Sequence, residues 1–234
     1  MGLPVSGYAF APSSQPCIPV LGHASTFPVH RIYCVGRNFA EHAREMGAEV
    51  PRGSPVFFMK PADAIVTGFM VPYPTATDDL HHEVELVVAL GRDAAGIVPS
   101  QEALSLVFGY AVGLDLTRRD LQAQAKEKRL PWDTSKGFDA SAPISAIVPA
   151  DVSGHDFTRR LWLRVNDELR QQSSLADMVF PVPDIIHELS RLFALRAGDL
   201  IFMGTPAGVA ALHRGDRFSA GVDGLVEFSG RIAA

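Results

Sequence analysis

The chain has 234 residues, 47% of them hydrophobic and 20% charged, with 20 Gly, 17 Pro and a formal net charge of −5. That length and apolar content suit one globular domain with a sizeable core and exclude a disordered or low-complexity chain. A mildly acidic balance with no Lys/Arg run argues against nucleic acid or a membrane surface as partner, and two cysteines, Cys17 and Cys34, exclude a disulfide framework or thiolate cage.

Residues 1–30 contain no Lys, Arg, Asp or Glu and are broken by Pro4, Pro12, Pro16, Pro19 and Pro28, which predicts an extended N-terminal arm ahead of a single domain over 31–234. The arm lacks the cationic start and apolar run of a signal peptide, and the longest apolar uncharged stretch, Ala103–Leu114, is too short to span a bilayer. A cytoplasmic protein is the expectation. Arg31 to Val35 reads as a strand, and Asn38 as the cap of a short helix over Phe39 to Met46, with Gly47 past its end. Two prolines and two glycines between Gly47 and Pro55 suggest a hinge.

Strands dominate thereafter: Val56 to Met59, Val84 to Leu90 and Val107 to Leu114. Thr117 is placed to cap a helix from Arg118 to about Lys128, and Pro183 to Phe193 carries Ile185, Ile186, Leu189 and Phe193 on one helical face. Leu161 to Val165 and Leu169 to Gln171 flank a polar turn at Asn166 and Asp167, followed by strands at Leu200 to Met203, Arg217 to Ser219 and Leu225 to Ile232. Strands clustered between few helices predict an α+β fold with a mixed or antiparallel core.

No phosphate-binding loop, dinucleotide fingerprint, nucleophile elbow or zinc-protease helix motif occurs. An acidic cluster remains. Glu83 and Glu85 leave the same strand face about 7 Å apart, and Asp115 ends the apolar run Val107 to Leu114. Three carboxylates suit a hard cation, Mg2+ or Mn2+. A solvated strand face would show the same alternation, and neighbouring His81 and His82 offer a different set suited to Zn or Fe. His42 and Glu45, three apart on a helix, form either a general-base dyad or an ordinary surface pair. Arg119 and Gln122 on one helix face, with Lys136 in a Gly-containing loop, could clamp an anionic substrate or form a solvated face. Gly204-Thr205-Pro206 follows a strand as a tight turn that could present a hydroxyl.

Taken together, Gly36-Arg37-Asn38-Phe39 with His42 and Glu45, Lys60-Pro61, His82-Glu83-Val84-Glu85, Gly113-Leu114-Asp115-Leu116-Thr117 with Arg119-Asp120, Lys136 and Gly204-Thr205-Pro206 resemble the fumarylacetoacetate hydrolase family. Pro131-Trp132 before Lys136 and Phe27-Pro28-Val29 leading into Arg31 most resemble its bacterial fumarylpyruvate hydrolases of gentisate breakdown. The resemblance implies a mixed β-sandwich roll, a homodimer, and Mg2+ or Mn2+ held by Glu83, Glu85 and Asp115. It implies a His42–Glu45 dyad on a lid helix, catalysis assisted by Lys136, and substrate contacts from Arg119, Gln122 and Thr205. Phe39 departs from the family's usual Tyr, so a phenolic hydroxyl is missing there. The implied reaction is metal-dependent hydrolysis of a C–C bond in a 2,4-diketo acid, fumarylpyruvate foremost. Oxaloacetate decarboxylation, dienoate isomerisation and non-catalytic carboxylate binding are the alternatives.

Overall fold

The computed structural model describes residues 7–45 and 53–234. Its main sheet has six strands in the order Val148–Pro149, Val107–Leu114, Val84–Leu90, Leu200–Phe202, Ile32–Gly36 and Val56–Lys60. All neighbours are antiparallel except Leu200–Phe202 with Ile32–Gly36. A second sheet runs Glu168–Ser174, Arg160–Val165, Arg217–Val222, Val226–Ile232, Met70–Val71, with only the last pair parallel. The predicted mixed sandwich with few helices is what the chain builds.

The central strand Val84–Leu90 explains the layering. Every residue in it is buried. Val84, Leu86, Val88 and Leu90 enter a core shared with Leu161, Leu163, Val165, Phe218 and Ala220 of the second sheet. Val87 and Ala89 point the other way, into a second core with Ile18, Val20, Phe27 and Val29. The charge-free N-terminal stretch supplies those four side chains, Ile18 and Phe27 from the paired strands Cys17–Pro19 and Thr26–Pro28 and Val20 and Val29 from the residues just after them. Each fully buried Val, Leu, Ile or Phe contributes about 1.5–3 kcal/mol. The face that carries Glu85 is therefore a second interior, contrary to the solvated alternation that the pattern also allowed.

The described residues form five α-helices, all short: α1 (Ala40–Glu45), α2 (Arg119–Lys128), α3 (Asp133–Lys136), α4 (Ala150–Ser153) and α5 (Val182–Leu192). Helix α5 turns Ile185, Ile186 and Leu189 into the first core, as its spacing predicts. Asn166 and Asp167 have φ of 50° and 67°, the two positive values a two-residue hairpin turn requires.

Three local expectations fail. Asn38 is not a helix cap: its side chain is fully buried, donates to the carbonyls of Phe180 and Met203, and accepts from the Phe180 N–H. A short polar side chain here satisfies three backbone groups from distant segments, which outweighs one cap bond. Thr117 does not cap α2 either: it lies in the strand Thr117–Arg118 opposite His81, and its hydroxyl donates to the Asp115 carbonyl. Lys136 sits in no loop but ends α3, nearly fully buried. Met46 and Gly47, expected at the end of α1, and most of the expected hinge lie outside the described residues. Among the described residues no helix is long and apolar enough to cross a membrane.

Candidate active site

Strand pairing assembles the acids. Glu85 lies opposite Gly113, Val84 opposite Leu114, and the Asp115 N–H donates to the Glu83 carbonyl at 2.8 Å, so both strands deliver their carboxylates to one place. One oxygen from each of Glu83, Glu85 and Asp115 lies within 4.8 Å of the others, and all three residues are buried. Gly113 permits this closeness, since a Cβ there would stand 2.6 Å from the Phe202 ring.

Three cations answer the three acids. Lys136 Nζ donates to Glu83 at 2.8 Å and to Asp115 at 2.6 Å. Arg119 donates to Glu83 at 2.5 Å and to Gln122 at 2.6 Å. Lys60 Nζ, fully buried, stands 2.8 Å from Asp115 Oδ1 but donates to the carbonyls of Leu116 and Lys136, which leaves that oxygen without an aligned donor. Burial alone would raise the Glu83 carboxyl, but Lys136 and Arg119 outweigh it and hold it well below the usual carboxylate range. Glu85 goes the other way. Burial, then the Asp115 and Glu83 charges, push it well above the ordinary value, and among the described residues its one hydrogen-bond donor is the Gly204 N–H at 2.7 Å.

This donor set fits a hard divalent cation. It offers only oxygens, one of them unpartnered, with a buried carboxyl that needs positive charge to ionise. Burial keeps the nearby Cys34 thiol protonated, so no thiolate is offered. The alternative ligands stand outside this group: His81 Nε2 faces Asp79 at 2.8 Å and His82 Nδ1 faces the Gln171 side chain at 2.9 Å, and neither ring brings a nitrogen among the clustered oxygens.

Helix α1 brings His42 to the cleft, with Nδ1 3.3 Å from Glu45 Oε2. Glu45 is anchored in turn by the Gly208 N–H at 3.0 Å. Burial lowers the His42 pKa, against the pull of Glu83 and Glu45, so the imidazole is neutral at pH 7. Gly204 has φ of 91° and passes so close to Asn38 that a Cβ would meet its Cβ at 2.7 Å. Only Gly fits that crossing, which swings Thr205 into the cleft. The predicted acids, His42, Arg119, Gln122, Lys136 and Thr205 all line one cleft of about 40 Å³; Glu45 reaches it through His42.

Sequence reasoning assigned no role to Lys60 or Gln171. Lys60 closes the strand Val56–Lys60 as Asp115 follows the strand Val107–Leu114, and a charge at the end of an apolar run was the available signal. Gln171, also buried, donates to Thr205 Oγ1 and the Pro206 carbonyl, both at 2.8 Å, and accepts from the Val84 N–H and His82. Its place in a hairpin with exposed neighbours hid that.

Residues 31–233 match the family model described as fumarylacetoacetate (FAA) hydrolase C-terminal. The solved fumarylpyruvate hydrolase of Pseudomonas aeruginosa, in complex with Mn2+ and pyruvate, is 45% identical with a TM-score of 0.94, covering 97% of this chain and 99% of that one. A Burkholderia cenocepacia structure, described provisionally as a fumarylpyruvate hydrolase, is 52% identical with a TM-score of 0.91 over 98% and 99% of the two chains. The mitochondrial oxaloacetate tautomerase FAHD1 of Rattus norvegicus is 44% identical over 217 residues, 89% of this chain and 97% of its own. With its acid triad, sandwich and family match in agreement, the chain belongs to the fumarylacetoacetate hydrolase family of enzymes, with a carboxylate set that fits a metal ion.

Proposed function

We propose that the protein hydrolyses the C3–C4 bond of a 2,4-diketo acid, fumarylpyruvate foremost, giving fumarate and pyruvate. The observation that carries this reading is the His42–Glu45 dyad, anchored by Gly208 and facing the acid triad across the cleft. Hydrolysis needs a base for water, and a neutral, buried imidazole oriented by a carboxylate supplies one. Glu83, Glu85 and Asp115 would hold Mg2+ or Mn2+, which when bound supplies positive charge beside substrate oxygens, worth several kcal/mol.

The chain's own groups then divide the work. His42 Nδ1 faces Glu45, so Nε2 takes the water proton as the water oxygen bonds to C4. The C3–C4 bond breaks, its electron pair passing into the enolate of pyruvate, and the proton returns at C3. Lys136 places its ammonium beside the developing enolate oxygen. Arg119 holds the substrate carboxylate; its Nε is buried and has no partner among the described residues, so a donor is ready. Gln122 and Thr205 complete the polar wall.

A second reading, tautomerisation or decarboxylation of oxaloacetate, is favoured by the FAHD1 relatives at 43–44% identity. Protein stripped with a chelator and reloaded with Mg2+ or Mn2+ separates the two. Loss of enolic absorbance from fumarylpyruvate or acetylpyruvate with stoichiometric pyruvate supports hydrolysis, and faster turnover of oxaloacetate supports the second reading. Saturable binding of either acid without turnover supports a non-catalytic role. His42→Ala should lower turnover about 10²–10⁴-fold, the usual worth of a general base. Unchanged turnover would remove His42 from that role. The same proposal assigns residues 31–234 as a cytoplasmic catalytic domain of aromatic-ring breakdown, assembled as a homodimer, which light scattering of the purified protein checks.

A further inference from the structure

The charges along the cleft fall into two groups. Around the acids the cations are held in ion pairs: Glu83 takes Lys136 and Arg119, and Asp115 takes Lys60 and Lys136. Farther out, the walls carry Arg37 and Lys126, and among the described residues neither side chain forms an ion pair or hydrogen bond. Among the described residues the outer cleft thus holds two cations with no acid paired to them.

Their placement is ordered. Arg119, Gln122 and Lys126 recur at three- and four-residue spacing on one face of α2. Arg119 is fixed on Glu83, and at about 1.5 Å rise per residue Lys126 stands roughly 10 Å farther along the axis. Its Nζ lies 5.5 Å from the centre of the Trp132 ring, which meets Phe58 at 6.0 Å. Both rings also wall a neighbouring hollow of about 440 Å³. Arg37 is held at φ of 61°, a left-handed backbone that costs energy in a residue with a side chain, and Asn38 beside it is locked in the core.

We infer that Lys126, assisted by Arg37, forms an outer anion subsite that holds a carboxylate at the far end of the substrate's acyl chain, with Phe58 and Trp132 flanking the chain. The inference rests on the C–C hydrolase reading and narrows it to dicarboxylates. A seven-carbon 2,4-diketo dicarboxylate has six C–C bonds of about 1.5 Å, spanning roughly 7–8 Å when extended. With its first carboxylate near Arg119 and Gln122, the second arrives under Lys126. A trans double bond keeps the chain extended, and a cis bond turns the acid away. Lys126 shares this end of the cleft with Arg119 and Arg37, and an anion there relieves their mutual repulsion. Acetylpyruvate, which ends in a methyl group, gains nothing from this end of the cleft.

The test compares kcat/KM for fumarylpyruvate, maleylpyruvate and acetylpyruvate on the metal-loaded wild type and on K126M, K126R and R37N. Lys126 is largely exposed, so K126M folds, and Asn at 37 tolerates the left-handed backbone. The expected result is a fumarylpyruvate preference over acetylpyruvate that falls about tenfold or more in K126M, through KM, and is largely restored in K126R. R37N shows a smaller fall. A preference unchanged within about twofold in both K126M and R37N overturns the subsite while leaving the hydrolase reading intact. Faster cleavage of maleylpyruvate overturns the extended geometry. Wild type that cleaves none of the three overturns the subsite and the hydrolase reading together.

Discussion

Replacing Lys60 with Met removes a charge that has no contact with solvent. The Lys60 and Asp115 side chains are both 0% exposed and 2.8 Å apart. At an effective dielectric constant near 20, that separation corresponds to roughly 6 kcal/mol of attraction, partly offset because Met needs no desolvation. Breaking a buried pair by removing one partner costs about 3–5 kcal/mol. Asp115 keeps Lys136 at 2.6 Å, so the lower end applies, about 3 kcal/mol. For a chain of this size that lowers the melting temperature by about 6–12 °C. The loss should be largest in chelator. K60M takes positive charge away from the acids, so a divalent ion binds it more tightly than it binds the wild type and offsets part of the loss, about 1.4 kcal/mol for each tenfold gap in Kd. Thermal and urea melts of both proteins, in chelator and in saturating Mn2+, measure this. A loss below about 1 kcal/mol in chelator would refute the view of Lys60 as a desolvated counter-charge of the acid triad.

Glu85→Gln should weaken Mg2+ or Mn2+ binding by at least the roughly 10–100-fold lost when even an outer partner of a metal is removed, as read by calorimetry. Because the Glu85 carboxyl is raised, it holds its proton to higher pH and the ion must displace it; wild-type affinity should therefore climb with pH and E85Q should lose part of that slope. Gln171→Leu leaves the Val84 N–H and the His82 ring unpaired and releases Thr205, so urea melts should show a loss of about 2–5 kcal/mol. A loss under about 1 kcal/mol would mean water replaces those bonds. Gly204→Ala places a methyl against Asn38 and a side chain at φ of 91°; a cost of about 1–3 kcal/mol and reduced turnover are expected from melts and rates. The His42 pKa is lowered, and only the neutral ring accepts a proton. Turnover should therefore stay level from pH 8 down to about 6.5 and fall below that, whereas a fall already under way at pH 8 would exclude His42 as the base.

Much of this architecture could be read from the sequence where one periodicity dominated. Val84–Leu90, Val107–Leu114 and α5 have the extents their apolar patterns indicate, within a residue, because each is long and sits wholly in the core. Reading failed where tertiary partners replaced local ones. Asn38 and Thr117 both stand before a helix, but Asn38 spends its side chain on backbone groups brought from elsewhere, and Thr117 is drawn into a strand opposite His81. Acids at strand ends were visible because a carboxylate closing an apolar run is conspicuous. The role of Gln171 was not, since its four partners come from two segments far from it in the chain. The second core behind Glu85 was equally hidden, because it depends on residues 17–29 folding back onto the sheet.

The strand Leu200–Phe202 inserts between Val84–Leu90 and Ile32–Gly36 near the middle of the six-stranded sheet. During synthesis on a ribosome, everything before it emerges as two half-sheets, each with an unpaired edge open to another nascent chain. The sheet closes only when this late segment arrives, and such long-range pairing is slow. The same segment leads directly into Gly204 and Thr205, so completion of the sheet and of the cleft are one event. A chain cut short before Leu200 would thus lack both at once, and cellular quality control would meet an open sheet edge rather than a folded but inactive enzyme.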